Sequence, residues 1–519
     1  MPPSAPILSI LPLVAAVVVA LLAVQYSRTS QCIASDGPSQ HAGYFEYECA
    51  GKPHHATWQS WWHPQQLLHT GQGQTSARGA GRVTKDWNIL YHLGGNGPWV
   101  EKIESVVEGG IAPPDGCDVT QVHMMARHAE RYPTPAAATR MTKMLNKITN
   151  NTITLRGDLA FANNWQLFWS DDSQIAQLTS TGPFSGTLGA FTTGVRLRTR
   201  YLHLLTKARS QFARIRFWAS DSPRVIDTAR HFGTGFFGMD WQNFSNLEVI
   251  SESSKLGGDT LTPGDTCLKY VEDSDSGHDY GYTALELFRA TYLGDVRKRL
   301  LKQNPEMDFS DEDVYAMQEI CGFEITVRGS SHWCDVFTKD EFLSFEYARD
   351  LLHFYRAGPG TRYGGTMGWL WLNATKNLLV QGPDVGPLFF SFVHDGDIAP
   401  MLTSLDIITD DQPLPLDKIL HTRKWRKSQV SPMGGRIIFE LLSCTVQGKS
   451  REESAGQYIR ININDGITEL SDCHSGPGRS CPLADFVGRV DRKGREFGDF
   501  REVCGLGEDA AERITFLHQ

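Results

Sequence analysis

Val119 to Pro133, VTQVHMMARHAERYP, is the stretch from which the architecture can be read. Val119 to Ala126 is short and half apolar, which predicts a strand. It runs into Arg127-His128-Ala129-Glu130-Arg131-Tyr132-Pro133. Beyond that turn Thr134 is placed to cap a helix and Pro135 to take its first position. Met141, Met144, Leu145 and Ile148 then recur at i, i+3, i+4 and i+7, one buried helix face. A strand-turn-helix junction leaves backbone N–H groups and the positive end of the helix dipole aimed at the turn. With Arg127 and Arg131 added, the turn becomes a trap for a tetrahedral oxyanion, with the His128 imidazole beside it. A lone R-H-x-x-R is more often a solvated surface turn. Two further junctions of the same kind change that reading.

Ile215-Arg216-Phe217-Trp218 predicts the second strand, with Asp221 or Ser222 capping a helix that begins at Pro223. Val225, Ala229, Phe232 and Phe236 share one face of it. Arg224 therefore sits in the first turn, the wrong end of the dipole for a cation unless an anion is bound there. Gly233 to Gly238 matches G-x-G-x-x-G, but a dinucleotide fingerprint opens a helix and this one closes a helix. The match is read as chance. The third junction is Leu388 to Asp397, LFFSFVHDGD, a strand buried on both faces. Asp397 is expected to cap the next helix, which buries Ile398, Met401, Leu402 and Leu405. His394 and Asp395 are left at the strand end. Arg436 to Leu442 reads as an edge strand and Tyr458 to Ile463 as a half-buried, alternating one.

The chain has 519 residues and a formal charge of −9, ample for a large core. No lysine- or arginine-rich face appears, which argues against a nucleic-acid partner. Ile7 to Val24 is almost uniformly apolar, long for a signal core and barely long enough to span a bilayer. Residues 1–28 are thus a signal peptide, cut near residues 23 to 30, or an uncleaved anchor. The product is secreted, or membrane-anchored with its catalytic part outside. Ten cysteines, even in number and without a C-x-x-C pair, read as disulfides in such a compartment. The sequons at Asn150, Asn243 and Asn373 would carry glycans there.

The expected fold is α/β: an open sheet body with helices on both faces, plus a smaller, mostly α-helical insertion. Residues 29–115 would wrap the body, 116–239 and 386–519 would form it, and 240–385 would be the insertion. Its helices are expected at Asp311 to Ile320, Lys339 to Tyr355 and Met367 to Val380. The tail from Cys473 to Gln519 reads as loop-rich. A homo-oligomer is compatible with this composition.

In open α/β sheets, ligands bind outside the carboxyl ends of the strands. The three junctions place Arg127, His128, Arg131, Arg224, His394 and Asp395 at such ends. Guanidinium forks suit phosphate, a histidine can be the nucleophile, and a carboxylic acid can protonate a leaving alkoxide. The set suffices for phosphomonoester hydrolysis with no metal or cofactor. Metal motifs, a P-loop and a G-x-S-x-G elbow are absent.

At these residues the sequence resembles the histidine acid phosphatases, which carry R-H-G-x-R-x-P near their start and H-D late in the chain. The resemblance runs on through His92 to Trp99, Ser222 to Val225, Pro432 to Arg436 and Cys473 to Cys481. It covers nearly everything after about residue 45 and looks closest to the secreted fungal-type acid phosphatases and phytases. It implies a phosphorylated His128, phosphate held by Arg127, Arg131, Arg224 and His394, and Asp395 as proton donor. The implied substrate is a small phosphomonoester, phytate among the candidates. The implied disulfides are Cys117–Cys444, Cys267–Cys504, Cys321–Cys334 and Cys473–Cys481, leaving Cys32–Cys49. One departure stands out: the family's glycine after the histidine is Ala129, whose methyl would crowd the oxyanion or alter the backbone angle. That departure motivates an alternative, a non-catalytic phosphate- or inositol-phosphate-binding ectoprotein on the same fold. A phosphoglycerate-mutase-like transferase sits badly with the secretion signals.

Overall fold

The computed structural model describes residues 87–150, 153–445 and 455–519. The apolar run Ile7 to Val24, the Cys32–Cys49 pair and most of the expected wrapping segment lie outside these described residues. The opening strand, β1 (Cys117–Arg127), leads into helix α1 (Pro135–Thr149) as the apolar pattern requires. Pro135 holds the first turn, and Thr134 flanks it in extended conformation without donating or accepting a side-chain cap.

Further strands are β2 (Ile215–Ser220), β3 (Ser245–Ile250), β4 (Leu388–Val393), β5 (Arg436–Thr445), β6 (Ala455–Ile463), β7 (Gly466–Thr468) and β8 (Cys481–Pro482). Their order is β3-β2-β4-β1-β5-β6-β7, with β8 paired to β6. β3, β2, β4 and β1 run parallel, whereas β5, β6 and β7 continue as an antiparallel meander. β4 enters between β1 and β2, so the carboxyl ends of all three lie side by side.

β4 shows why the sheet needs cover on both faces. Leu388, Phe390 and Phe392 join one buried cluster, with α2 (Gly186–Arg200), α3 (Leu202–Gln211) and α4 (Pro223–Phe237). Phe389 and Val393 point the other way, into a second and larger core. That core is shared with α1, α5 (Tyr280–Gln303), α6 (Asp311–Arg328), α7 (Lys339–Arg356), α8 (Gly364–Gln381), α9 (Asp395–Leu405) and α11 (Leu483–Phe497). The short α10 (Lys427–Val430) and α12 (Phe500–Cys504) complete this side. α4 packs tightly on α2, because a Cβ at Gly235 would stand 2.1 Å from the Phe191 carbonyl oxygen. The G-x-G-x-x-G run thus closes a helix and serves helix packing.

Several expectations need correction. Ser245 to Ile250, placed in the helical insertion, is β3 of the sheet. Its short, partly polar sequence faces solvent along an edge, which hides its pattern. The helices that follow share one continuous core with the sheet and do not build their own. Arg436 to Leu442 is no edge: β5 lies between β1 and β6 and is buried along most of its length. β6 alternates as expected, yet Arg460 and Asn462 are buried too. Glu440 accounts for Arg460, taking Arg460 Nε at 2.6 Å and Tyr201 Oη at 2.6 Å. The tail carries α11, whose buried face is only Phe486, Arg489 and Val490. Disulfides join Cys117 to Cys444, Cys267 to Cys504, Cys321 to Cys334 and Cys473 to Cys481. Asn150 and Asn243 are exposed, whereas Asn373 is half-buried within α8 beside a fully buried Thr375.

Candidate active site

β1 delivers Arg127 and His128 to the carboxyl edge of the sheet, and both are almost fully buried. His128 Nδ1 lies 2.9 Å from the Ala129 carbonyl oxygen. A carbonyl only accepts, so Nδ1 carries the hydrogen and Nε2 keeps its lone pair. Burial, then the charges of Arg127, Arg131 and Arg224, hold this imidazole well below its ordinary range. It is neutral in mild acid, the state a nucleophile requires.

α4 supplies Arg224, whose Nη2 donates to His394 Nδ1 at 3.1 Å. The His394 ring lies 5.8 Å from the His128 ring, centroid to centroid. Because Arg224 can only donate, His394 must donate through Nε2, and Glu252 Oε1 accepts there at 2.8 Å. Glu252 follows β3, so the edge strand missed in the sequence also serves the site. Asp397 takes part in the cap of α9, but from its first turn and not from the N-cap position. His394 is the N-cap residue, and the Asp397 carboxylate in the first turn accepts from the His394 backbone N–H at 2.9 Å.

Asp395 faces a dense group of cations. Its Oδ2 is 3.2 Å from Arg127 Nη2, 2.9 Å from Lys427 Nζ and 3.5 Å from His353 Nε2. Burial alone would raise the Asp395 carboxyl, but the cations Arg127 and Lys427 outweigh it and hold the group well below the usual carboxylate range. Arg127 also donates to the carbonyls of Gly95 and Ser431, at 3.1 and 2.8 Å. Gly95 has φ +77°, and a Cβ there would meet Lys427 Cε at 2.9 Å, so glycine lets the loop close over both cations. Arg131 donates to the Tyr132 carbonyl and lies over the Phe323 ring. Burial lowers it to about 9, which leaves it cationic in acid.

All six residues expected from the sequence therefore meet at one place. Ala129 does not crowd it: its φ is not positive, its N–H donates to Thr228 Oγ1 at 2.9 Å, and its methyl joins Leu178 and Ala190 in a small apolar cluster. The motive for a non-catalytic reading thereby falls away. Glu252, Arg349, His353 and Lys427 escaped the sequence reading. Arg349, His353 and Arg356 are spaced i, i+4, i+7 on α7, a basic stripe on one face of a mixed helix and the one available signal.

Strand ends that gather guanidiniums and imidazoles around a single buried point define an α/β protein built to handle phosphate. The chain matches the histidine phosphatase superfamily (branch 2) over residues 118–464, and it belongs to that family. It is 33% identical over 446 residues to an acid phosphatase of Komagataella pastoris, spanning 83% of this chain and 89% of that one. It is 31% identical over 438 residues to a phytase of Candida albicans, spanning 83% and 90%. Of solved structures, the phytase from D. castellii matches with a TM-score of 0.76 at 27% identity, over 88% of this chain and 93% of that one.

Proposed function

We propose that the protein is an acid phosphatase that hydrolyses phosphomonoesters through a phosphohistidine at His128. Arg127, Arg131, Arg224 and His394 hold the phosphoryl oxygens, and Asp395 protonates the departing alkoxide. The observation that carries this reading is the placement of His128: its Nδ1 donates to the Ala129 carbonyl at 2.9 Å, which leaves Nε2 as the acceptor nitrogen, inside a ring of arginines. Such a ring offsets charge on the transferring phosphoryl group without reorganising.

The acid preference follows from Asp395. In the free site its carboxyl is ionised, and a proton donor must first regain a proton. A phosphate dianion offsets the surrounding cations and raises the carboxyl again, so low pH and bound substrate act together. Phytate is a fitting substrate, since its further phosphates would meet Arg349 and Arg356 of α7, which also act on Asp395. Secretion is supported by four disulfides among the described residues, a mark of an oxidising compartment. Among those residues no helix is long and apolar enough to cross a membrane.

The test is to mix enzyme with a phosphorus-labelled aryl phosphate, quench rapidly under denaturing conditions and map the label. Label on a peptide containing His128, with turnover lost in His128→Ala, is the expected result. Normal turnover by His128→Ala would overturn the proposal.

A further inference from the structure

We propose that Lys427 is a positioning residue that keeps Asp395 as a carboxylate for the second half of the reaction, the hydrolysis of phosphohistidine. The inference rests on the phosphohistidine reading above and concerns a residue outside the phosphate cage.

Lys427 is completely buried, and burial pulls its ammonium well below the usual lysine range, a pull that the Asp395 carboxylate opposes. Its Nζ donates to Asp395 Oδ2 at 2.9 Å and to Ser431 Oγ at 2.6 Å. Its backbone N–H donates to Asp350 Oδ1 at 2.6 Å, and the Gly95 loop closes over its stem. The ammonium is thus held from two sides and directed at one carboxylate oxygen. Arg127 and His353 reach that same oxygen.

The two chemical steps ask opposite things of Asp395. In the first, His128 Nε2 forms a bond to phosphorus, the bond from phosphorus to the leaving oxygen breaks, and that oxygen takes the Asp395 proton. In the second, water attacks phosphorus, the P–N bond breaks and returns its electron pair to His128, and Asp395 accepts the water proton. The acid form serves the first step and the carboxylate serves the second. Arg127 contacts both Asp395 and the proposed phosphate position, so its effect changes when phosphate binds. Lys427 bonds to Asp395 and Ser431, and its effect persists through the cycle.

Other charged groups act on Asp395 as well, and a pH effect must be read against them. Arg131 and Arg224 act from β1's turn and from α4. Arg349, His353 and Arg356 act from α7, with Asp397 on α9 itself. The arginines stay charged across acid pH, and Asp397, raised by burial, keeps the same surroundings in every variant, so the variants differ in charge only at position 427.

The experiment compares the full-length wild type with Lys427→Met and Lys427→Arg, using p-nitrophenyl phosphate. Steady-state phosphoenzyme, the p-nitrophenol burst and the pH profile of kcat are read together. For Lys427→Met we expect kcat to fall tenfold or more, phosphoenzyme to accumulate with a clear burst, and the acid limb to move up by about one pH unit. Lys427→Arg should keep the wild-type acid limb. A Lys427→Met enzyme with unchanged phosphoenzyme and acid limb overturns the inference, and so does one that loses its burst because the first step has slowed. If Lys427→Met does not fold, Lys427→Gln removes the charge but keeps a donor to Ser431 and reads the same quantities. Absence of label on wild-type His128 would instead remove the phosphohistidine reading.

Discussion

Ala129 packs its methyl against Leu178 and Ala190 while its N–H ties the turn to Thr228 on α4. Restoring glycine would delete that contact and loosen a turn that needs no left-handed residue. Ala129→Gly is therefore expected to leave kcat/KM within about twofold and to cost about 0.5–1 kcal/mol of stability, read by turnover and thermal melting. A large gain in activity would show that the methyl obstructs phosphate after all. Ala129 looked suspicious in sequence because a motif says nothing about where a Cβ points. The charged members were legible for a sound reason: each stands where an apolar strand stops and a helix begins. Lys427 and His353 were not. One lies in a polar stretch without periodicity, the other in a helix with so many charged residues that one histidine does not stand out.

At the scale of elements, the three junctions were legible because strand, turn and helix each left their own mark. β3 left almost none, and its Glu252 went unseen with it. α11 does carry an apolar stripe, Leu483, Phe486, Val487 and Val490 at i, i+3, i+4 and i+7, but many charges and two glycines, Gly488 and Gly494, crowd around it and hide it. The α2–α4 crossing offers a direct test of close approach. Gly194 meets the Phe232 carbonyl as Gly235 meets that of Phe191, with built Cβ positions 2.3 and 2.1 Å away. Gly235→Ala must push these helices apart, and α4 carries Arg224 and Thr228. A loss of about 1–3 kcal/mol in denaturant unfolding is expected, together with weaker phosphate binding. A variant as stable as wild type would mean that the crossing has slack.

For the whole molecule, buried titratable groups set opposing slopes of stability against pH. Burial raises Glu130 and Asp350 to about 7. Their contributions are complete below the unfolded carboxyl range, near pH 4, and are lost as pH rises through 7. His123 works the other way. It is fully buried, stacked on Phe389 at 4.5 Å, and neither ring nitrogen finds a hydrogen-bond partner among the described residues. Burial lowers it to about 3. Below pH 6.5 the unfolded chain takes up a proton that the folded chain refuses, so stability falls between 6.5 and 3 and is intact above. The full shift corresponds to about 5 kcal/mol, a heavy burden for an enzyme proposed to work in acid. His123→Phe keeps the stacked ring and removes the titration. Its stability should lie within about 1 kcal/mol of wild type at pH 7, and its advantage should grow steadily as pH drops towards 3. Urea titrations of both proteins across that range decide the matter, and a pH-independent difference would place the acid sensitivity elsewhere. His128 and His353, also lowered by burial, are the next groups to bear it. Since the proposed reaction requires His128 neutral, that share of the acid sensitivity comes with the proposed catalytic design and no substitution outside the site can remove it.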